Sequence, residues 1–257
     1  MIGKIRSKAQ RTWLATRPLS DLQKRLSARR GLLGLCYHAV DAELADYPYR
    51  TTVAALKAQL SFLSDIFEIV TVETAVAMLQ EGRLEDRDRP VVMLTFDDGY
   101  RCNLLQATQV LEHFGAPATL FAARDLVRQP GQTYLSEDEL VQLANHDLWH
   151  VGAHGVTHNV LPGFLPPDQS YEMATSKAWL EDLLGYAPGG FAYPQGQISA
   201  GIVALARSHF KYALSTDQRI FPGTDIHQIR RFCPMQVHDD IHRFAEALVL
   251  APFEGCQ

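Results

Sequence analysis

Four short stretches of the chain carry side chains able to do chemistry: "YHAV" with His38, "TFDDG" with Asp97 and Asp98, "GAHGVTHNV" with His154 and His158, and "FAYPQG" from Phe191 to Gly196. The acidic pair is the sharpest. Adjacent carboxylates repel at neutral pH, so solvent, a helix N-terminus or a cation has to compensate. Consecutive residues at a strand end point to different sides, so one carboxylate can face a cation while its neighbour faces a substrate. His154 and His158 stand four apart. Gly152, Gly155, Val156 and Thr157 around them suit a loop leaving the strand "WHVGA" better than a helix. Imidazole and carboxylate from separate strand ends form the donor set of a zinc-like catalytic site. On that reading Asp98, His154 and His158 hold a divalent cation, and Asp97, left unligated, takes a proton from the attacking water. The plainer readings are a helix cap near Cys102 for the acidic pair and ordinary loop positions for the histidines. His150, alternating with Gly152 and His154 along the strand, reads as structural.

The elements that must position these residues alternate. "GLLGLCYHAV" is an apolar run ending at His38, followed by a polar loop and the helical repeat "TVAALKAQLSFLSDIF" with Thr51 or Thr52 as its cap. Then come strand "EIVTV", helix "ETAVAMLQEG", strand "RPVVMLTF", helix "CNLLQATQVLEHFG" and strand "PATLFAA". Ser136 and Glu139 make a capping box ahead of "EDELVQLANH". The strands "WHVGAH", "GGFAYP" and "KYALST" follow, separated by the helices "PDQSYEMATSKAWLEDLLG" and "SAGIVALARSHF". About seven such βα repeats predict a parallel α/β barrel, whose chemistry sits where strands end.

At 257 residues one large α/β barrel is affordable. Apolar residues make up 47% and charged residues 21%, which argues against disorder or a fibrous fold. The net charge of -5 argues against general nucleic-acid binding. Cys36, Cys102, Cys233 and Cys256 show no paired-ligand spacing, so the thiols read as inert; Cys36, two residues from His38, fits a small buried strand residue better than a further ligand. Neither a membrane span nor a secretory leader is apparent, which predicts a cytoplasmic protein. Residues 1–30 form a basic segment with nine Lys or Arg and one Asp, ahead of a single domain over 31–257. That segment could touch an anionic lipid surface peripherally. A solvated helix with Trp13, Leu14 and Leu22 on the body is the favoured alternative, since Pro18 interrupts a long amphipathic helix. Oligomeric state is not legible.

"TFDDG" at 95–99 followed by "HGVTH" at 154–158 resembles the first two motifs of the polysaccharide deacetylases, the NodB-homology or carbohydrate esterase family 4 domain, over roughly residues 32–220. The resemblance implies a distorted (β/α)7 barrel of the NodB type. It also implies a divalent metal held by Asp98, His154 and His158, with zinc first and cobalt or nickel as alternatives. Asp97 would be the catalytic base that removes N-acetyl or O-acetyl groups from sugars. "FAYPQG" is similar to the third motif, with Ala192 where an Arg is usual and Gln195 in place of the Tyr whose backbone N–H holds the oxyanion. A backbone donor survives a side-chain change, so Gln195 keeps that role. The Arg that would orient Asp97 is missing, and the fourth motif is not recognisable in "ALSTDQRI". Leu35 and His38 fit the LxxH motif of the general acid, placed N-terminal as in the branch of poly-β-1,6-N-acetylglucosamine deacetylases, where the third-motif Arg is commonly absent; His238 and His242 are the C-terminal alternatives. The expected substrate is an N-acetylglucosamine-containing polysaccharide, oligosaccharide or glycolipid. Tyr100, Trp149 and Tyr193 are candidate sugar-stacking faces as well as candidate core. A catalytically silent carbohydrate-binding or scaffold protein of the same fold is the competing reading.

Overall fold

The computed structural model describes residues 13–41, 47–217, 223–234 and 240–255. His238 lies outside them. A helix α1 (Leu19–Ser27) leads into β1 (Leu32–Tyr37), and α2 (Val53–Ile66) starts at Thr52, whose hydroxyl accepts from the Ala55 N–H at 3.1 Å. β2 (Glu68–Val70), α3 (Val72–Gln80) and β3 (Val91–Asp98) follow. A π-helical turn over 103–107 opens α4 (Thr108–Phe114), then come β4 (Ala118–Ala122) and α5 (Glu137–Ala144) with the expected Ser136–Glu139 capping box. The chain continues through β5 (Trp149–Ala153), α6 (Pro166–Leu184), β6 (Gly190–Ala192), α7 (Ala200–His209), β7 (Tyr212–Ser215), β8 (Ile229–Phe232) and α8 (Ile241–Leu250).

Seven parallel strands close into a barrel in the order β1-β8-β7-β6-β5-β4-β3, with β3 returning to β1; β2 lies outside the ring on the first half of β3. This is the (β/α)7 architecture. β8 is a strand that the apolar-run reading passes over, because Arg230 and Arg231 interrupt it. It seats β1 in the ring through Gly34↔Arg231 and Leu35↔Phe232. The approach is close: a Cβ on Gly34 would stand 2.7 Å from the Arg230 carbonyl oxygen.

Period-two alternation sorts the strand residues. Val92, Leu94 and Phe96 of β3 and Leu33, Leu35 and Tyr37 of β1 join the cluster under the outer helices. Val91, Met93, Leu32, Phe121, Tyr212, Leu214 and Ile229 form a second cluster with Val72, Val76 and Leu79 of α3, filling the N-terminal half of the interior. Above it, the inward positions turn polar or reactive: Thr95 and Asp97 on β3, Cys36 on β1, Arg231 on β8. All four are almost fully buried. The apolar floor excludes water from below and leaves chemistry to the C-terminal end.

The described part of the basic segment is docked on this body. Leu22 and Leu26 of α1 are fully buried, Trp13 is 40% exposed, and the guanidinium groups of Arg17 and Arg25 lie 4.2 and 4.4 Å from its ring centre. His242, on α8, donates through Nε2 to the Arg17 carbonyl oxygen (2.7 Å) and pairs through Nδ1 with Glu246 at 2.8 Å. It therefore serves the outer surface and not the strand ends. Among the described residues no helix is long and apolar enough to cross a membrane.

Candidate active site

A cavity of about 620 Å³ opens at the C-terminal end of the barrel, in the size range of a small-ligand site. His38, Asp97, Asp98, His154, His158 and Gln195 all line it. Thus every site residue inferred from the sequence faces one space, although they come from the ends of four different strands. Among the described residues, the non-glycine residues with positive φ are Asp98 (76°), His158 (61°) and Gln195 (54°), and all three belong to this cavity. Such backbone costs on the order of 1–3 kcal/mol per residue and persists where the surroundings over-determine it. For Asp98 the effect is directional. Alternation would send its side chain outward after Phe96, and the left-handed turn brings it back towards the histidines.

Asp98 Oδ1 lies 3.0 Å from His158 Nε2 and 3.4 Å from His154 Nε2, yet this buried oxygen receives no aligned hydrogen bond. The Nδ1 of His154 donates to the Ala192 carbonyl oxygen at 2.7 Å, which in a neutral ring leaves the lone pair on Nε2, aimed at the carboxylate. Lone pair against lone pair is repulsive unless a cation stands between them. Burial pushes the Asp98 carboxyl up, but the close imidazoles of His154 and His158, with His38 nearby, outweigh it and hold it far below the ordinary range. His158 is likewise raised against its own burial by Asp98. One ligand atom from each of the three residues lies within 4.8 Å of the others, so the donor set fits a divalent ion.

The loop carrying these imidazoles is pinned from below. Glu172, on α6 and 3% exposed, accepts from the Val156 N–H (2.7 Å), the Thr157 N–H (3.0 Å) and the Thr157 hydroxyl (2.7 Å). Gly155 between them has φ +82°, and a Cβ there would meet the Glu172 carboxylate at 3.0 Å. Sequence reading missed this residue, since an acidic residue on a polar helix looks solvated.

Asp97 is not a helix cap either. Both oxygens accept from Arg231, Oδ1 from Nη1 at 2.6 Å and Oδ2 from Nη2 at 2.7 Å, and Arg231 Nη1 also reaches Thr95 Oγ1 at 2.9 Å. Thr95 in turn donates to the Leu35 carbonyl at 2.7 Å. Burial raises the Asp97 carboxyl, but the Arg231 charge dominates and lowers it to about 2. The guanidinium missing at Ala192 is thus supplied from β8, on the opposite flank of β1. The signal available was a pair of arginines inside an otherwise strand-like "QIRRF"; a basic residue on the inner face of such a strand needs a buried acid.

His38, partly buried, packs against Tyr49 with ring centres 4.8 Å apart and planes tilted by 42°, and burial lowers its pKa against the opposing pull of Asp98 and Asp97. Tyr47 and Tyr49 line the cavity. Tyr100, Trp149 and Tyr193, readable from the sequence either as exposed ring faces or as core, are 5%, 3% and 0% exposed and belong to the core. A loop without periodicity gives no signal for its aromatic residues. Cys36 is the small buried strand residue expected, but its thiol also donates to Asp97 Oδ2 at 3.3 Å.

A closed seven-stranded parallel barrel with a carboxylate and two imidazoles at the strand ends defines a NodB-type deacetylase fold. Residues 85–212 match the family model "Polysaccharide deacetylase", and the chain carries a polysaccharide deacetylase domain. It is 27% identical over 185 residues to YxkH of Bacillus subtilis (strain 168), whose name assigns it to the polysaccharide deacetylases; the match covers 71% of this chain and 63% of that protein's length. Among solved structures, the Streptococcus pyogenes deacetylase PplD in complex with acetate superposes with a TM-score of 0.73 at 21% identity, covering 86% of this chain and 99% of that one. IcaB from Ammonifex degensii gives 0.73 at 23% identity, covering 87% and 98%. At these identities the likeness establishes the fold.

Proposed function

We propose that this protein is a metal-dependent deacetylase that hydrolyses N-acetyl, or O-acetyl, groups of a carbohydrate containing N-acetylglucosamine. The observation that carries the reading is the buried Asp98 oxygen facing two imidazole nitrogens with no proton aligned between them. A divalent cation, zinc first and cobalt or nickel as alternatives for this donor set, would supply Lewis acidity to polarise an acetyl carbonyl and acidify water. Asp98, His154 and His158 would hold it. Asp97, kept ionised and oriented by Arg231, takes the proton of the attacking water. The Gln195 backbone, turned by its positive φ, offers its N–H to the developing oxyanion. His38 protonates the departing nitrogen. Tyr47 and Tyr49 present aromatic faces for a pyranose ring.

The silent-scaffold reading drew its strength from the absent third-motif Arg, and the Asp97–Arg231 pair removes that ground. The two readings separate on acetate release from N-acetylglucosamine oligomers and glycolipids by zinc-loaded protein, with Asp97→Asn and His38→Ala alongside. Turnover that both variants reduce by about 100-fold or more supports the deacetylase; oligomer binding without turnover supports the scaffold.

A further inference from the structure

We propose that Cys36 and Cys233 form an oxidative modification site in the cavity wall, where hydrogen peroxide converts the two thiols to a disulfide and switches the site off. The first half stands on the fold alone; the loss of activity rests on the deacetylase reading above.

The barrel seam brings the two together. Leu35 is paired with Phe232, the last residue of β8, so the next position sets Cys36 of β1 against Cys233 just past the end of β8. Alternation places both inward, Cys36 after Leu32 and Gly34, Cys233 after Ile229 and Arg231. Adjacent strands lie about 4.7–4.9 Å apart, inside the roughly 4.4–6.8 Å Cα separation a disulfide tolerates. Both thiols are free, and they lie close enough for Cys233 to raise the Cys36 pKa. Their access differs. Cys36 is 1% exposed, whereas Cys233 is only partly buried and lines the cavity, through which a small peroxide can arrive. Burial holds the Cys36 thiol protonated, so the first attack falls to Cys233.

The chemistry closes. The Cys233 thiolate attacks a peroxide oxygen, the O–O bond breaks, and the hydroxide that leaves takes up the proton the thiol released, giving a sulfenic acid and water. Cys36 sulfur then attacks the sulfenic sulfur. Its proton joins the departing hydroxide, which leaves as a second water. Two thiols and one peroxide become one disulfide and two waters. The base loses its thiol donor at Oδ2, and the sulfur bridge fixes the wall beside it. Cys102 stands apart, in a cluster with Ala39 and Tyr100.

The test treats the full chain, zinc-loaded and metal-free, with hydrogen peroxide, quenches with catalase, alkylates free thiols and maps peptides by mass spectrometry. A Cys36–Cys233 cross-linked peptide is expected, with acetate release falling roughly tenfold or more and returning with dithiothreitol. Cys233→Ser should lose the cross-link and the reversible inhibition, and Cys36→Ser should do the same while stopping at a sulfenic acid on Cys233. Both residues recovered alkylated after peroxide would overturn the site. A cross-link with unchanged acetate release would overturn the switch. If untreated protein releases no acetate, the deacetylase reading fails while the peptide map still decides the thiol pair.

Discussion

A carboxylate as deeply buried as Asp97 would ordinarily take up a proton, and what prevents this is the two-point guanidinium contact from Arg231. Removing one partner of such a pair leaves an uncompensated buried charge. Arg231→Gln should lower unfolding stability by about 3–5 kcal/mol at neutral pH, read by urea denaturation of metal-free protein. The sign with pH follows from the depressed carboxyl: the pair's contribution is complete above the ordinary Asp value near 4 and fades as pH falls through about 2. The gap between wild type and Arg231→Gln should therefore shrink towards acid pH, and a pH-independent gap would deny the pairing. Gln195 makes a separate prediction. If its backbone N–H is the working donor, Gln195→Ala and Gln195→Gly should keep acetate release well short of the ~100-fold loss that follows removal of an oxyanion donor. A loss of that size in both would shift the role to the side-chain amide.

The loop between β5 and α6 shows how an element presents chemistry that its residues alone could not. His158 sits in left-handed backbone and His154 directly follows the strand; Glu172 gathers the intervening N–H groups beneath them. Glu172→Gln replaces one acceptor oxygen with an amide donor facing N–H groups. It should weaken zinc binding by about 10–100-fold, measured by competition with a chelator dye, before it lowers the melting temperature of metal-free protein. Equal zinc affinity in the variant would make Glu172 a packing residue only. At this scale the sequence was most readable where strands are greasy on both faces, as in "RPVVMLTF" and "PATLFAA", and where caps follow a local rule, as at Ser136. It was least readable at β8, because a buried ion pair writes charged letters into a core strand, and around Tyr47 and Tyr49, because loop aromatics carry no period. The catalytic and ligand candidates were visible as types and spacings. Their convergence depends on strand order, which spacing does not contain.

Across the whole molecule, β1 closes the ring between β8 and β3, so a histidine near the chain's start reaches the same cavity as residues from its middle. The seam is clasped at the far end. Leu32 and Glu254 exchange backbone hydrogen bonds at 3.0 and 2.8 Å, and the buried Glu254 carboxylate accepts from Arg230 Nε at 2.6 Å and the Gly223 N–H at 2.7 Å. Glu254→Ala strands the Arg230 charge and should destabilise the fold by about 3–5 kcal/mol in urea unfolding, although it lies away from the cavity. A loss under about 1 kcal/mol would mean that the seam holds without its clasp. The central claim, that Asp98, His154 and His158 share one divalent ion, is tested most directly by zinc titration of metal-stripped protein with elemental analysis of the product. One tightly held zinc per chain is predicted for wild type, with binding lost in Asp98→Asn and acetate release appearing in step with occupancy. Wild-type protein that retains no stoichiometric zinc, cobalt or nickel would contradict it.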